Sequence, residues 1–162
     1  EDDNLVDWTF ATGAPFARQA NPVDLDVIGA EAFLTRGWEH VDLAVGYTWL
    51  DKDSDYGDAQ VDASFYALNF ARHRATLALR YRFAGRFELR LDNEYRQQED
   101  NPLRTGDDSA FLASASLHWN HEALQGFAIA VVADNLTDSE FQPFTGAPAC
   151  GGYYRIYATW SW

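Results

Sequence analysis

Residues 74–83 read Arg-Ala-Thr-Leu-Ala-Leu-Arg-Tyr-Arg-Phe, and two kinds of position alternate through the whole stretch. A period of two residues is typical of a β-strand that has one apolar and one polar face. The apolar positions are Ala75, Leu77, Leu79, Tyr81 and Phe83. Similar segments of about ten residues recur along the chain, with aromatic residues near their ends, which is the pattern of transmembrane β-barrels. The sequence therefore predicts strands that face lipid on one side and water on the other.

The composition fits a single domain and restricts its partners. The chain has 162 residues, of which 47% are hydrophobic and 15% are aromatic. Its 12 basic and 25 acidic residues give a net charge of -13, so a phosphate backbone or an anionic membrane surface would be repelled. No apolar run reaches the ~18 residues that a membrane-spanning helix needs, whereas strands of ~10 residues can cross a bilayer. Cys150 is the only cysteine, so no internal disulfide can form.

Eight strands are predicted, and long and short connections alternate between them. The strands cover residues 5–11, 24–35, 38–50, 74–83, 87–96, 110–119, 127–134 and 153–162. The long loops cover residues 12–23, 51–72, 97–108 and 135–152, and the tight turns lie at residues 36–37, 84–86 and 120–126. Bacterial barrels combine long external loops with short periplasmic turns. We therefore predict an all-β, antiparallel transmembrane β-barrel.

Charged side chains of both signs alternate with the apolar ones in the fourth and fifth predicted strands. They are Arg74, Arg80, Arg82, Glu88, Arg90, Asp92, Glu94 and Arg96. So many charges cannot be buried dry, which favours a hydrated lumen over the core of a sandwich. They either form a salt-bridge network that fixes the strand register and contacts a plug, which is the interpretation we favour, or guide a substrate.

The end of the chain carries a specific set of motifs. Residues 131–138 read Val-Val-Ala-Asp-Asn-Leu-Thr-Asp, Gly146-Ala147-Pro148 follows, and the last strand ends on the aromatic Trp162. This order resembles the carboxy-terminal hallmark of TonB-dependent outer-membrane receptors, in which an Asn-Leu-x-Asp turn follows the penultimate strand. In that family the terminal aromatic residue resembles the signal that is read by the barrel-assembly machinery.

Upstream segments extend the resemblance over nearly the whole chain. Residues 3–8, with Asn21 and residues 28–32, are similar to the family's strand pair with its Gly-Val-Glu element, and residues 69–74 are similar to its strand-entry motif. The cobalamin-receptor-like branch is the most similar. Residues 150–152 read Cys-Gly-Gly where the family usually has Pro-Gly-Arg.

The resemblance implies a fold and a function. Residues 1–162 would be the last eight strands of the family's 22-stranded barrel, without its plug domain, and would thus be a piece of a longer polypeptide. A companion segment would pair with residues 5–11 and 153–162, because lipid tolerates no open sheet edge. The implied activity is non-enzymatic import of a scarce ligand, such as cobalamin or a metal chelate including a siderophore, across the outer membrane of a Gram-negative bacterium. TonB would act through the plug.

The acidic residues Asp51, Asp53 and Asp55 precede Gly57 in a predicted loop and have a spacing similar to that of a calcium loop. The glycine is displaced by one position, and an acidic external loop is commonly just solvated. We expect no cofactor, and calcium is the alternative that these carboxylates leave open. The histidines His40, His73, His118 and His121 are scattered and show no metal-clamp spacing.

Aromatic residues on the predicted external loops are the candidates for ligand contact. They are Tyr56, Tyr66, Phe141 and Phe144, together with Phe65. Such rings can stack on a flat ligand, and the competing interpretation is packing within the loops or at the membrane interface.

A second interpretation of the whole chain is a self-contained barrel of eight strands. This number of strands can close on itself around a side-chain-filled interior. Its role would be structural, adhesive or lipid-modifying. No nucleophile elbow or compact Ser-His motif supports catalysis.

Overall fold

The computed structural model describes residues 2–14, 18–120, 126–147 and 151–161. Within these residues the chain forms nine strands and no helix: β1 (Asp2–Phe10), β2 (Gln19–Gly37), β3 (Val41–Asp55), β4 (Ala63–Ser64), β5 (Ala71–Phe83), β6 (Phe87–Gln98), β7 (Ser109–Asn120), β8 (Phe127–Asp134) and β9 (Tyr153–Trp160). They form one antiparallel sheet in the order β4-β1-β2-β3-β5-β6-β7-β8-β9. The predicted all-β antiparallel class is confirmed. In the described ranges no helix has the length and apolar character that a membrane crossing requires.

The prediction of eight strands differs from the structure in three respects. The short strand β4 forms inside the predicted loop of residues 51–72, where it pairs with the end of β1. The strands β2 and β3 are also longer than predicted. β2 begins at Gln19 instead of residue 24, and β3 ends at Asp55 instead of residue 50. The turn expected at residues 36–37 lies at residues 38–40, because Gly37 still pairs with Asp42.

A continuous register gives the sheet two chemically different faces. Residues that lie directly opposite each other on paired strands share a face, and a slip of one residue would exchange the faces. The first face, here called the apolar face, carries Ile28, Leu34, Leu43, Val45, Leu77, Leu79, Leu89, Leu91, Ala115, Leu117, Val131 and Ile156, among others. The other, the polar face, carries the charged residues of β5 and β6. The alternation predicted for residues 74–83 and the common face predicted for the charged residues of β5 and β6 are confirmed.

The sheet is open, with β4 and β9 as its edge strands in the described residues. The strand β1 pairs with β2 only from Gln19 to Leu25, so residues 26–37 of β2 have a neighbour on one side only. The expectation that residues 5–11 form a free edge is wrong at Thr9 and Phe10, which pair with β4. On that side of the sheet the long unpaired edge belongs to the second half of β2.

The buried residues lie on the polar face and in the loops that cover it. The buried apolar side chains among the described residues are Ala11, Val23, Leu25, Ala63, Phe70, Ala110, Ala130, Val132 and Phe141. No comparable core lies under the apolar face in the described ranges, where Leu34 is 63% exposed and Ile156 is 75% exposed. The described parts of the loops thus pack against one face of the sheet only.

Gly126 provides a test of the β8–β9 pairing. It has a positive φ of 80°, and a Cβ there would lie far inside van der Waals contact with the carbonyl oxygen of Ser161. Gly106 has a φ of 96° with open space around it. Both alanine substitutions meet the left-handed backbone penalty, but only Gly126→Ala adds overpacking. We expect it to lower the free energy of unfolding by ~1–3 kcal/mol more than Gly106→Ala, measured by urea titration of the detergent-solubilised protein. Equal effects would contradict the pairing at this end.

Candidate functional site

The candidate site is the loop layer, defined as residues 56–70, 99–108 and 135–147, at one end of the sheet. The connections at this end are long, and those at the other end, at residues 38–40 and 84–86, are short. Long loops carried by a rigid sheet are the usual location of binding residues. The predicted alternation of long and short connections is confirmed for the described residues.

Asp7 holds the first segment of the loop layer against the sheet. Its side chain points to the polar face of β1, and the residue is 1% exposed. One carboxylate oxygen accepts hydrogen bonds from the Tyr56 hydroxyl at 2.7 Å and the Ser64 hydroxyl at 2.6 Å. The other accepts from the backbone N–H groups of Tyr66 and Ala67, both at 3.3 Å. A buried carboxylate needs such donors, since its desolvation is costly. Asp7 therefore acts as an anchor for residues 56–67.

Arg104 joins the second segment to the other two. Its side chain is 1% exposed and forms an ion pair with Asp108. The guanidinium also donates to the Asn69 side-chain oxygen at 2.9 Å and to the backbone carbonyl of Glu99 at 3.1 Å. Its centre lies 5.9 Å from the ring centroid of Phe141. Burial lowers the Arg104 pKa, and the charge of Asp100 opposes this shift. The arginine thus links all three segments of the loop layer through its polar and aromatic neighbours.

The motif of residues 135–138 forms the beginning of the third segment. Asn135 and Asp138 both have a positive φ of 49°, which asparagine and aspartate tolerate better than most residues. The backbone N–H of Leu136 donates to the carbonyl of Ala113, so the turn continues the hydrogen bonding of β7 beyond the end of β8. Asp138 accepts a bond from the backbone N–H of Gly152 at 2.9 Å, just before β9 begins. The motif therefore sets the path from β8 to β9.

Of the five aromatic candidates, Phe65 is half-buried with the Arg18 guanidinium 4.3 Å from its ring centroid, and the other four divide into two pairs. Tyr56 is bonded to Asp7, and Phe141 is 9% exposed beneath Arg96 and Arg104, so both are structural in this loop layer. Tyr66 and Phe144, by contrast, are 56% and 57% exposed.

The two exposed rings belong to segments that touch. The Asn69 side-chain amide donates to the carbonyl of Pro143 at 3.1 Å, and the Asn69 backbone N–H donates to the carbonyl of Tyr66. This contact brings the turns that carry Tyr66 and Phe144 together.

The acidic candidates do not lie in a loop. Asp51, Asp53 and Asp55 are consecutive same-face residues at the end of β3, and Asp51 accepts a hydrogen bond from Arg72 at 3.1 Å. Same-face residues on an extended strand are ~7 Å apart, whereas a calcium loop wraps its oxygens around the ion. The loop conformation that motivated the calcium alternative is thus absent at Asp51, Asp53 and Asp55, and the described residues contain no cluster of metal-ligating side chains suited to an ion.

The described histidines have ordinary polar or aromatic neighbours. His73 Nδ1 lies 2.8 Å from the Tyr47 hydroxyl, and His118 Nε2 lies 3.0 Å from the Ser116 hydroxyl. His40 is exposed beside Glu39. His121 and Cys150 fall outside the described residues.

The sequence patterns do not identify Asp7 and Arg104, the two residues that anchor the loop layer. Asp7 occupies a polar-side position in an alternating strand, and Arg104 lies in a polar loop between Pro102 and Gly106. Their burial depends on loops that fold back over the sheet from distant parts of the chain. No local signal in the sequence marks them.

Comparison with known proteins does not assign the chain to a family. No family model matches it, and no curated protein matches it.

Replacing Asp7 tests the anchor. Asp7→Ala would leave four donors without their acceptor, and we expect it to destabilise the packing of residues 56–67 by ~2–4 kcal/mol. Amide exchange measured by mass spectrometry should accelerate at least tenfold in a peptide that contains Tyr66 and Ala67. Asp58→Ala, an exposed change in the same loop, is the matched control. Unchanged exchange in the Asp7 variant would show that other contacts hold the loop.

Tyr56 should make this packing sensitive to alkaline pH. Burial, helped by the hydrogen bond and charge of Asp7 and opposed by the Ser64 hydroxyl, raises its pKa above the ordinary value. Because the pKa of Tyr56 is raised in the folded state, its contribution to the stability of this packing is complete below pH ~10 and is lost at higher pH. We expect amide exchange in residues 56–67 to accelerate above pH ~10 beyond its intrinsic rise. Tyr56→Phe should remove this acceleration and Tyr66→Phe should keep it; identical pH profiles would contradict the assignment.

Proposed function

We propose that the chain is wall and external loops of a TonB-dependent outer-membrane receptor that imports a scarce ligand. The wall would belong to a 22-stranded barrel that holds a plug. The location at the Gram-negative outer membrane, the non-enzymatic role and the coupling to TonB through the plug come with this proposal. The ligand class, a metal chelate, cobalamin or a similar solute, follows from the sequence resemblance.

Two aromatic rows on the apolar face are the observation that carries the membrane part of the proposal. Tyr95 lies opposite Phe111 at one end of the β6–β7 pair, and Phe87 lies opposite Trp119 at the other. Eight residues separate the two rows on each strand, which corresponds to ~27 Å of extended chain. With a strand tilt of ~40° the rows are ~21 Å apart in height, close to the ~25 Å apolar band between the aromatic girdles of outer-membrane barrels.

The exposure of the apolar face supports the same conclusion. Leu77, Val131 and Ile156 are 40%, 44% and 75% exposed, on strands spread across the sheet. A monomeric soluble protein rarely leaves so large an apolar surface in water. Asn93 is a polar residue in the middle of this face, opposite Leu77 and Ala113. The surrounding surface is otherwise suited to lipid.

The sheet edges bear on the choice between the two barrel interpretations. A self-contained barrel requires its first and last strands to pair, and in the described residues the sheet is open. Backbone groups at a free edge cost several kcal/mol each in lipid. The proposal therefore includes neighbouring strands that pair with residues 26–37 of β2 and with β9. A larger barrel supplies both.

The loop layer is the proposed external surface. Tyr66 and Phe144 are its exposed aromatic residues on touching segments, and they are the proposed ligand contacts. Tyr56 and Phe141 are assigned to the support of these segments, because their rings are engaged by Asp7 and by Arg104.

Spin labels on neighbouring residues test the proposal. Ala113 lies on the apolar face of β7 and Ser114 on the polar face, and both side chains are small. Each would be changed to cysteine in a Cys150→Ser background, in the protein as its host expresses it, reconstituted in lipid. We expect the label at 113 to collide mainly with oxygen and the label at 114 mainly with a water-soluble nickel chelate. Equal access of the nickel chelate to both labels would reject a membrane-embedded wall.

A TonB deletion tests the transport part separately. Accumulation of the ligand by the host should fall to the background level when TonB is removed and return when it is restored. Accumulation that does not depend on TonB would reject the energy coupling and leave the membrane assignment intact.

A further inference from the structure

Arginines are concentrated on the polar face of two neighbouring strands. Five of the chain's 12 basic residues lie there, in a protein whose net charge is -13. They are Arg74, Arg80 and Arg82 on β5 and Arg90 and Arg96 on β6. Arginine is the side chain best suited to bind carboxylate or phosphate groups through two parallel hydrogen bonds. The concentration is therefore relevant to ligand chemistry as well as to folding.

The pairing places arginines directly opposite each other. Arg74 faces Arg96, and Arg80 faces Arg90. Like charges in directly opposed positions destabilise a sheet, so this arrangement is unfavourable by itself.

One glutamate bridges each arginine pair. Glu94 accepts from the Nε atoms of Arg74 at 2.9 Å and Arg96 at 2.7 Å. Glu88 accepts from Arg90 at 2.6 Å and lies 3.8 Å from Arg80. We call these groups the upper triad, Arg74-Glu94-Arg96, and the lower triad, Arg80-Glu88-Arg90. Each triad has two positive charges and one negative charge.

The lower triad contains an arginine, Arg80, without a close hydrogen-bond acceptor among the described residues. Arg80 makes only long ionic contacts among the described residues, at 3.8 Å to Glu88 and 3.9 Å to Asp42. Asp42 is more closely engaged by Arg82, at 3.0 Å. The side chains of Arg80 and Arg90 are 46% and 45% exposed, so an incoming anion can reach both.

A trough runs between the two triads. Its floor contains Ala44, Ala78 and Asp92, which lie opposite one another on three adjacent strands. Two connected depressions of about 450 and 250 Å³ share these floor residues. Phe33, Leu112 and Glu94 line the larger depression, and Arg80, Arg90 and Asp42 line the smaller one. The trough therefore offers apolar walls near one triad and cationic walls at the other.

We propose that this trough binds a small organic anion, with a carboxylate or phosphate group on Arg80 and Arg90 and the apolar part of the ligand toward Phe33. The inference rests on the proposed function and makes the imported ligand an anionic solute. Asp92 also faces the trough and has no ion-pair partner among the described residues, so it weakens the attraction for anions.

Citrate, a tricarboxylate, is the probe. Isothermal titration would use the protein as its host expresses it, purified in detergent. The double variant Arg80→Gln with Arg90→Gln should weaken citrate binding at least tenfold, because two charge-assisted contacts are lost. Asp92→Asn keeps every arginine and should tighten binding about threefold, because a repulsive carboxylate is removed. Arg36→Gln, which changes an arginine on β2 outside the trough, is the control and should have no effect.

Three results would overturn the inference. The first is equal binding of citrate by the unchanged protein and the double variant, and the second is an Asp92→Asn variant that binds citrate no more tightly than the unchanged protein. The third is that citrate gives no heat with the unchanged protein, while the double variant has a lower melting temperature than that protein. Carboxylates of the polypeptide would then occupy the arginines. Spin-label accessibility at residues 113 and 114, measured on the same preparation, separates each of these from a failure of the membrane assignment.

Discussion

The continuous hydrogen-bond register from β2 to β9 is the constraint on which the rest of the structure depends. Directly opposed pairs, such as Leu79 with Leu91, keep residues of the same kind on the same face from one strand to the next. A one-residue slip anywhere would move apolar side chains to the polar face and charged ones to the apolar face. The two faces, the aromatic rows and the arginine triads all follow from this register.

The polar face organises the loops as well as the charges. Asp7 is buried only because residues 56–67 fold over it and supply its donors, and Arg104 is buried only because three segments meet around it. Two charged side chains thus determine where the loop layer lies. Tyr66 and Phe144 are left exposed by this packing, while Tyr56 and Phe141 are used by it. Residues of the same type in one loop segment, such as Tyr56 and Tyr66, therefore have different roles.

Alternation was sufficient to predict the strands whose two faces differ. In β5 to β8 the predicted and observed bounds agree within three residues. The contrast between neighbours is strongest in β5 and β6, where charged residues alternate with apolar ones. The end of β3 was missed because residues 51–55 are polar on both faces, so no contrast marks a strand. Their extended form depends on pairing with residues 24–28 of β2. The strand β4 was missed because two residues are too few to show a period.

The sequence by itself determined the strand class and the two faces, since these depend on the side-chain period. It also determined the position of the tight turn at residues 84–86, since this depends on local turn chemistry. Only the tertiary structure decided which arginines oppose one another, which loop residues are buried and where the free edge of β2 lies. These features require residues that are 10 to 60 positions apart to meet, as Arg80 meets Arg90 and Asp7 meets Ala67. No local pattern records such distant contacts, because they depend on the register and on the loops together.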